Sequence, residues 1–297
     1  MKIGLECIPC FVRQAYEAMS LVTDDQKIME RILRQVLFRL ANVSFDNTPP
    51  YIGRNIHRII KLLSGNSDPY LEIKKDSNTL ALKLMPSLKE LIKSSTDPFE
   101  TAVRLAIAGN IIDYGQGNYV GEEKIQKTIS QCLDQPVSKE NFNELKEEIE
   151  KASNILYLGD NAGEVFFDKL LIEELNGYPI TFVVRGAPTI NDALRDDARM
   201  AGLDKLVAVV DNGSDVPGTI LEECSEEFKR LFFEADLVIA KGQGNYETLS
   251  DEQKKIFFLL KVKCPVIAEH IGCQDGDMVI AKKGKKVKSW SGLGFPA

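Results

Sequence analysis

Histidine is scarce in this 297-residue chain. His57 and His270 are the only two, which argues against multi-histidine zinc catalysis. Positive charge is in deficit too: 37 lysines and arginines face 44 acids, a net charge of −7 that speaks against general affinity for nucleic acid or anionic membranes. No apolar run approaches the length of a membrane span, and the N-terminus lacks the pattern of a signal peptide, so the expected location is the cytoplasm. There is no G-x-x-x-x-G-K-[ST], which excludes a P-loop, and no G-x-S-x-G elbow. Gly242-Gln243-Gly244 lacks the third glycine of a dinucleotide fingerprint, because position 247 is Glu.

Cysteine is present but sparsely paired. Of Cys7, Cys10, Cys132, Cys224, Cys264 and Cys273, only the first two have C-x-x-C spacing, and no second pair completes a structural zinc site. A thioredoxin-like motif would follow a strand, whereas this one opens the chain in a helical context. The simplest expectation is two thiols in a packed helix, with a redox or accessory metal role left open.

The 44% hydrophobic content is ordinary for a folded protein, and the length accommodates two lobes. From Pro9 to about residue 152 the periodicity is helical. Ile28, Ile32, Val36 and Leu40 share one face behind Asp24-Asp25, and Ile52, Ile56, Ile59, Ile60 and Leu63 share another before Ser64-Gly65. Asp97-Pro98 and Ser138 read as helix starts. His57 falls on the apolar 52–63 helix and is expected to be structural. Beyond residue 153, apolar runs at 155–158, 180–184, 206–210, 237–240 and 265–268 alternate with helical stretches. That alternation predicts a three-layer α/β/α fold with a mostly parallel sheet, residues 153–297, behind an all-helical domain, residues 1–152. Met278–Ala281 and Lys285–Lys288 are expected to form a hairpin. The string Gly-Gln-Gly-Asn-Tyr occurs at 115–119 and again at 242–246, after a helix and after a strand, and is read as no structural repeat.

Loops that follow neighbouring parallel strands converge on one rim, and in open α/β sheets ligands bind there. The first loop carries Asp160 and Asn161, then Gly163 and Glu164 at a helix start; the next carries Arg185, Gly186, Asn191 and Asp192. Asp211, Asn212, Gly213, Ser214 and Asp215 follow, then Lys241, Gly242, Gln243, Gly244 and Asn245, and finally Glu269 and His270. Any one of these could be a capping Asp or a turn Asn. Five polar loops in series suit a hard cation held by oxygen ligands, with a phosphate beside it. Asp160 is followed by Asn161-Ala162, so the second acid of the haloacid dehalogenase phosphatases is missing.

Leu158-Gly159-Asp160-Asn161-Ala162-Gly163-Glu164, Arg185-Gly186-x-Pro188 with Asn191-Asp192, Gly213-Ser214-Asp215 with Pro217-Gly218, and Lys241-Gly242-x-Gly244-Asn245-Tyr246 occur in that order. With Cys7-x-x-Cys10 and Gly109-Asn110-x-x-Asp113, the pattern closely resembles the metal-dependent damage-control phosphatases, long catalogued as a domain of unknown function, and within them the prokaryotic branch that carries the C-x-x-C. The resemblance spans nearly the whole chain. It implies a helical lobe packed on an α/β/α lobe and hydrolysis of phosphate from small phosphometabolites, sugar phosphates or nucleotides, damaged ones included. It implies Asp160, Asn161 and Asp192 as ligands of a divalent ion, Mn²⁺ or Ni²⁺ favoured and Mg²⁺ allowed, and substrate contacts from Lys241 and Asn245. Of the Arg-Thr-x-Lys motif of one eukaryotic branch, only Lys263 is retained, in Leu260-Lys261-Val262-Lys263.

The expected catalytic set is therefore Asp160, Asn161, Asp192 and Lys241. Glu164, Arg185, Gly186, Asn191, Asp215, Gly242, Asn245 and Lys263 are the expected substrate contacts, with Asn110 and Asp113 facing the pocket from a helical lid. The expected partner is a small phosphorylated metabolite, not nucleic acid or membrane. Two other classes fit less well: a non-catalytic phosphometabolite-binding or sensor module using the same rim, and a methyltransferase, for which the glycines around 159–164 are too sparse.

Overall fold

The computed structural model describes residues 1–112 and 122–283. Periodic apolar positions draw the first half into helices α1 (Cys7–Ser20), α2 (Gln26–Ala41), α3 (Pro49–Ser64), α4 (Leu71–Ser94), α5 (Pro98–Ala108), α6 (Glu122–Asp134) and α7 (Lys139–Lys151). Their ends follow local chemistry. Asp25 accepts from the backbone N–H of Lys27 and Ile28, Asp97 from Glu100, and Ser138 from Asn141, each filling donors that a first helical turn leaves open. A 3₁₀ turn, Gly109–Ile112, continues α5.

The second half alternates: β1 (Ile155–Leu158), α8 (Val165–Glu174), β2 (Ile180–Val184), α9 (Arg195–Ala201), β3 (Ala208–Asp211), α10 (Glu226–Glu234), β4 (Leu237–Lys241), α11 (Gly242–Leu249), β5 (Ile256–Lys261), α12 (Pro265–Ile271) and β6 (Met278–Lys282). The sheet order is β3-β2-β1-β4-β5-β6, parallel except for the antiparallel β5–β6 pair. The expected α/β/α sandwich with a mostly parallel sheet is therefore the observed fold. Alternation along the strands sends Ile155, Tyr157, Phe182, Ile239, Phe257 and Ile280 to one face, under α4, α5, α7, α8 and α9. Leu156, Leu158, Val183, Val238, Phe258 and Val279 go to the other, under α10, α11 and α12.

Three expectations change. Residues 265–268, expected as a strand, open α12, and the fifth strand is instead 256–261, a stretch expected to be helical. Ile256-Phe-Phe-Leu-Leu is a short, fully buried apolar run rich in β-forming residues, of the kind periodicity cannot separate from a buried helix. Pro265 then supplies a first helical position and has no N–H for a sheet ladder. Glu269 and His270 accordingly lie within a helix rather than on the rim. Met278–Ala281 is a strand, but its partner is β5; residues 285–288 lie outside the described residues. Finally, residue 152 does not divide two cores. Helices α1 to α3 pack with Tyr70 around their own core, whereas α4 to α7 contribute to the core on one sheet face.

Candidate active site

The strand order reverses direction at β1, whose neighbours are β2 and β4, and the crevice beyond their carboxyl ends is the switch point where open α/β sheets bind ligands. Two loops are stitched together there. Ala193 N–H donates to Asp160 O at 2.8 Å, Ala162 N–H donates to Asn191 O at 2.9 Å, and Asn161 and Asp192 form an isolated antiparallel bridge. The bridge brings residues 160–161 and 191–192 side by side although thirty positions separate them, roughly, in the chain. The turn between is tight: Ile190, next to Asn191, sits at φ 41°, a conformation costly for a β-branched residue.

Beneath them lies a buried charge network. Lys241, at the end of β4, is wholly enclosed and spends its three donors on Ala106 O at 2.7 Å, Glu164 Oε1 at 2.5 Å and Asp168 Oδ1 at 2.7 Å. Asp168 also accepts from the Tyr157 hydroxyl at 2.8 Å. Glu164 Oε2 in turn accepts from the side-chain amides of Asn161 and Asn110, both at 3.2 Å. Arg185, at the end of β2 and 2% exposed, donates to Asp192 at 2.6 Å and to Asn245 Oδ1 at 3.4 Å, and lies 3.9 Å from Asp160. Four carboxylates, Asp160, Glu164, Asp168 and Asp192, thus share a desolvated region with two cations, Arg185 and Lys241. Burial, then repulsion from Glu164 and Asp192, holds the Asp160 carboxyl well above its usual range, against the pull of Arg185 and Lys241. Burial likewise pushes Asp168 up to about 6 despite Lys241.

This donor set fits a divalent cation. The carboxylates of Asp160 and Asp192 and the adjacent amide are hard oxygen ligands, and the Asn161 amide nitrogen is committed to Asp160 at 3.1 Å and to Glu164, leaving its carbonyl oxygen as the ligand atom. Among the described residues no group of three or more His, Cys, Asp or Glu is placed to hold a metal ion.

Above this floor opens a cleft of about 500 Å³. Asn110, Asp160, Asn161, Asn191, Asp192 and Lys263 line it, and Lys263 reaches Asn110 O at 3.0 Å. The other expected residues lie elsewhere. Asn245 is fully enclosed, its amide spent on Gly159 O, Lys241 O, Thr219 and Arg185. Gly186 is packed against the backbone of Gly213, where a Cβ would come within 2.5 Å. Gly242, at φ 77°, lets α11 start directly against Asp160; a Cβ there would overlap the carboxylate. Asp215 is paired with Arg58 of α3 at 2.5 Å, with Lys61 at 3.6 Å. Asp113 falls outside the described residues. The geometry therefore brings the three expected metal ligands to the cleft floor and sets Lys241 behind it.

Sequence reading missed the opposite wall, made by Cys7, Cys10, Phe11 and Gln14 of α1 and Pro49, Pro50 and Gly53 of α3. It also missed Asp168, for which a signal existed: the one acid in the mostly apolar Val165-Phe-Phe-Asp-Lys-Leu-Leu.

The chain belongs to the damage-control phosphatase ARMT1-like domain family, whose model matches residues 3–279. It is 38% identical over 296 residues to the uncharacterised protein MJ0202 of Methanocaldococcus jannaschii, covering 95% of this chain and 96% of that one. It is 39% identical over 285 residues to a damage-control phosphatase of Archaeoglobus fulgidus, covering 94% and 98% respectively. A crystal structure of the DUF89 family protein PH1575 from Pyrococcus horikoshii matches with a TM-score of 0.87 and 34% identity, over 95% of this chain and 99% of that one.

Proposed function

We propose that this chain is a divalent-metal-dependent phosphatase that releases phosphate from small phosphorylated metabolites, sugar phosphates or nucleotides, with Asp160, Asn161 and Asp192 holding the ion. Family membership supports the phosphatase class. The observation that carries the metal is the crowding of acids under the cleft: Glu164, Asp168 and Asp192 are buried and Asp160 is largely so, against two buried cations, Arg185 and Lys241. Excess negative charge in a desolvated site is costly without a counterion.

When bound, a divalent ion polarises a phosphoryl oxygen and lowers the pKa of a water it holds; Mn²⁺ and Ni²⁺ are the favoured ions, with Mg²⁺ third. The chain's own residues do the rest. Arg185 fixes the Asp192 carboxylate and lends positive charge from below. Glu164 fixes the Asn161 and Asn110 amides through two hydrogen bonds to one oxygen. Lys263 presents its ammonium at the cleft wall, where it offsets phosphate charge. Lys241 acts through Glu164 as a positioning residue, because its donors are already spent on protein oxygens.

The test is phosphate release from a panel of sugar phosphates and nucleotides with Mn²⁺, Ni²⁺ or Mg²⁺ and with chelator, beside Asp160→Ala. Metal-dependent release that falls by about 10²-fold or more in a folded Asp160→Ala supports the reading. Metal binding without release from any substrate would turn it to a binding module, and absence of metal binding would overturn it.

A further inference from the structure

The oxygen-ligand chemistry leaves one feature of the cleft unused. Three thiols line it: Cys7 and Cys10 from α1, and Cys264 from the start of α12, close enough to act electrostatically on both. Cys7 is the first residue of α1, its sulfur accepting from Gly4 N–H at 3.4 Å, and Cys10 lies one turn on, exposed. Positions i and i+3 share a helix face, and helix geometry puts their Cα atoms about 5 Å apart. A disulfide spans Cα separations of roughly 4.4–6.8 Å. Helical i, i+3 Cβ atoms lie about 5–6 Å apart against about 3.5–4.5 Å in a disulfide, so the pair closes with a small shift of the first turn of α1, at the frayed end of the helix. A small molecule entering the cleft meets the exposed thiol first.

We propose that Cys7 and Cys10 form a redox site at the mouth of the cleft, one that a low-molecular-weight disulfide of the glutathione type converts to an intramolecular disulfide. The Cys10 thiolate attacks one sulfur of the small disulfide, forming a mixed disulfide and releasing one thiol. The Cys7 sulfur then attacks Cys10 Sγ, closing the protein disulfide and releasing the second thiol. The protein loses two electrons and two protons, and the small disulfide gains both as two thiols. Burial is the main cause that raises both thiols above the usual range, with the Gly4 amide opposing it at Cys7 and Arg13 at Cys10. A high thiol pKa slows attack but also makes the sulfur a poor leaving group, so the closed pair resists re-opening. A soft-metal site is the less favoured use of these thiols, since among the described residues no group of three or more candidate ligands is placed for one.

The experiment incubates the full chain with oxidised glutathione, quenches with acid, and reads intact mass and the linked peptides; it needs no phosphatase activity. The expected product is the loss of two hydrogens with Cys7 joined to Cys10, reversed by dithiothreitol, retained in Cys264→Ser and lost in Cys10→Ser. Cys10→Ser is the informative variant because it changes an exposed residue and spares the core that holds Cys7; circular dichroism confirms its fold. An unmodified protein, a glutathione adduct that persists on Cys10, or a Cys10–Cys264 link would each overturn the proposal.

Discussion

At the residue scale, Lys241 shows how burial reassigns a plausible role. A lysine in a rim motif reads as a phosphate contact, yet here it neutralises Glu164 and Asp168 inside the protein. Lys241→Met leaves two buried carboxylates without their cation and is expected to cost about 3–5 kcal/mol in urea unfolding. A phosphate-binding lysine would instead raise KM and leave stability nearly unchanged, so the same two measurements separate the roles. Gly242→Ala is expected to abolish activity by driving the Asp160 carboxylate aside, read as lost metal affinity in calorimetry. His57 makes a pH prediction. Burial first, then Lys61, lowers it from 6.5 to about 4, and its Nε2 is enclosed without a partner. The unfolded chain therefore binds the proton more readily than the folded one between those values. Stability is complete above pH 6.5 and falls by about 3 kcal/mol as pH drops to 4. Urea melts of His57→Gln across that window are expected to show a shallower slope.

Helix starts were legible at the element scale because a cap is a local event. Asp25, Asp97 and Ser138 each bond backbone groups two or three residues on, as their positions in sequence imply. Asp97→Ala is expected to lower the unfolding free energy by about 1 kcal/mol by equilibrium denaturation. The exchange of strand and helix around 256–271 was not legible by the same means. Ile256–Leu260 and Pro265–Ala268 are both short apolar runs, and which one enters the sheet depends on the partners β4 and β6 offer.

At the scale of the whole molecule, the cleft exists because α1 and α3 face the sheet rim, and the Arg58–Asp215 pair with Lys61 ties α3 to the loop after β3. Arg58 is half-exposed, so the pair contributes roughly 1 kcal/mol or less. If it positions the wall, Arg58→Ala and Asp215→Ala are expected to raise KM equally, with no further rise in the double variant. A direct substrate contact by Asp215 would show as a larger effect of that single change. Among the described residues no helix is long and apolar enough to cross a membrane.

The sequence by itself determined what depends on neighbours along the chain: the helical first half, the strand-turn-helix alternation of the second, the caps, and the motifs carrying Asp160, Asn161 and Asp192. Tertiary structure alone decided which rim residues face the cleft. Arg185, Lys241 and Asn245 carry the same polar signature in sequence as Lys263, which is exposed on the cleft, but they are buried with their donors on protein oxygens, and burial arises from contacts between distant segments. It also decided that two cysteines one helical turn apart share the cleft lining with a third, because only the packing of α1 against the sheet rim brings positions 7 and 264 to the same space.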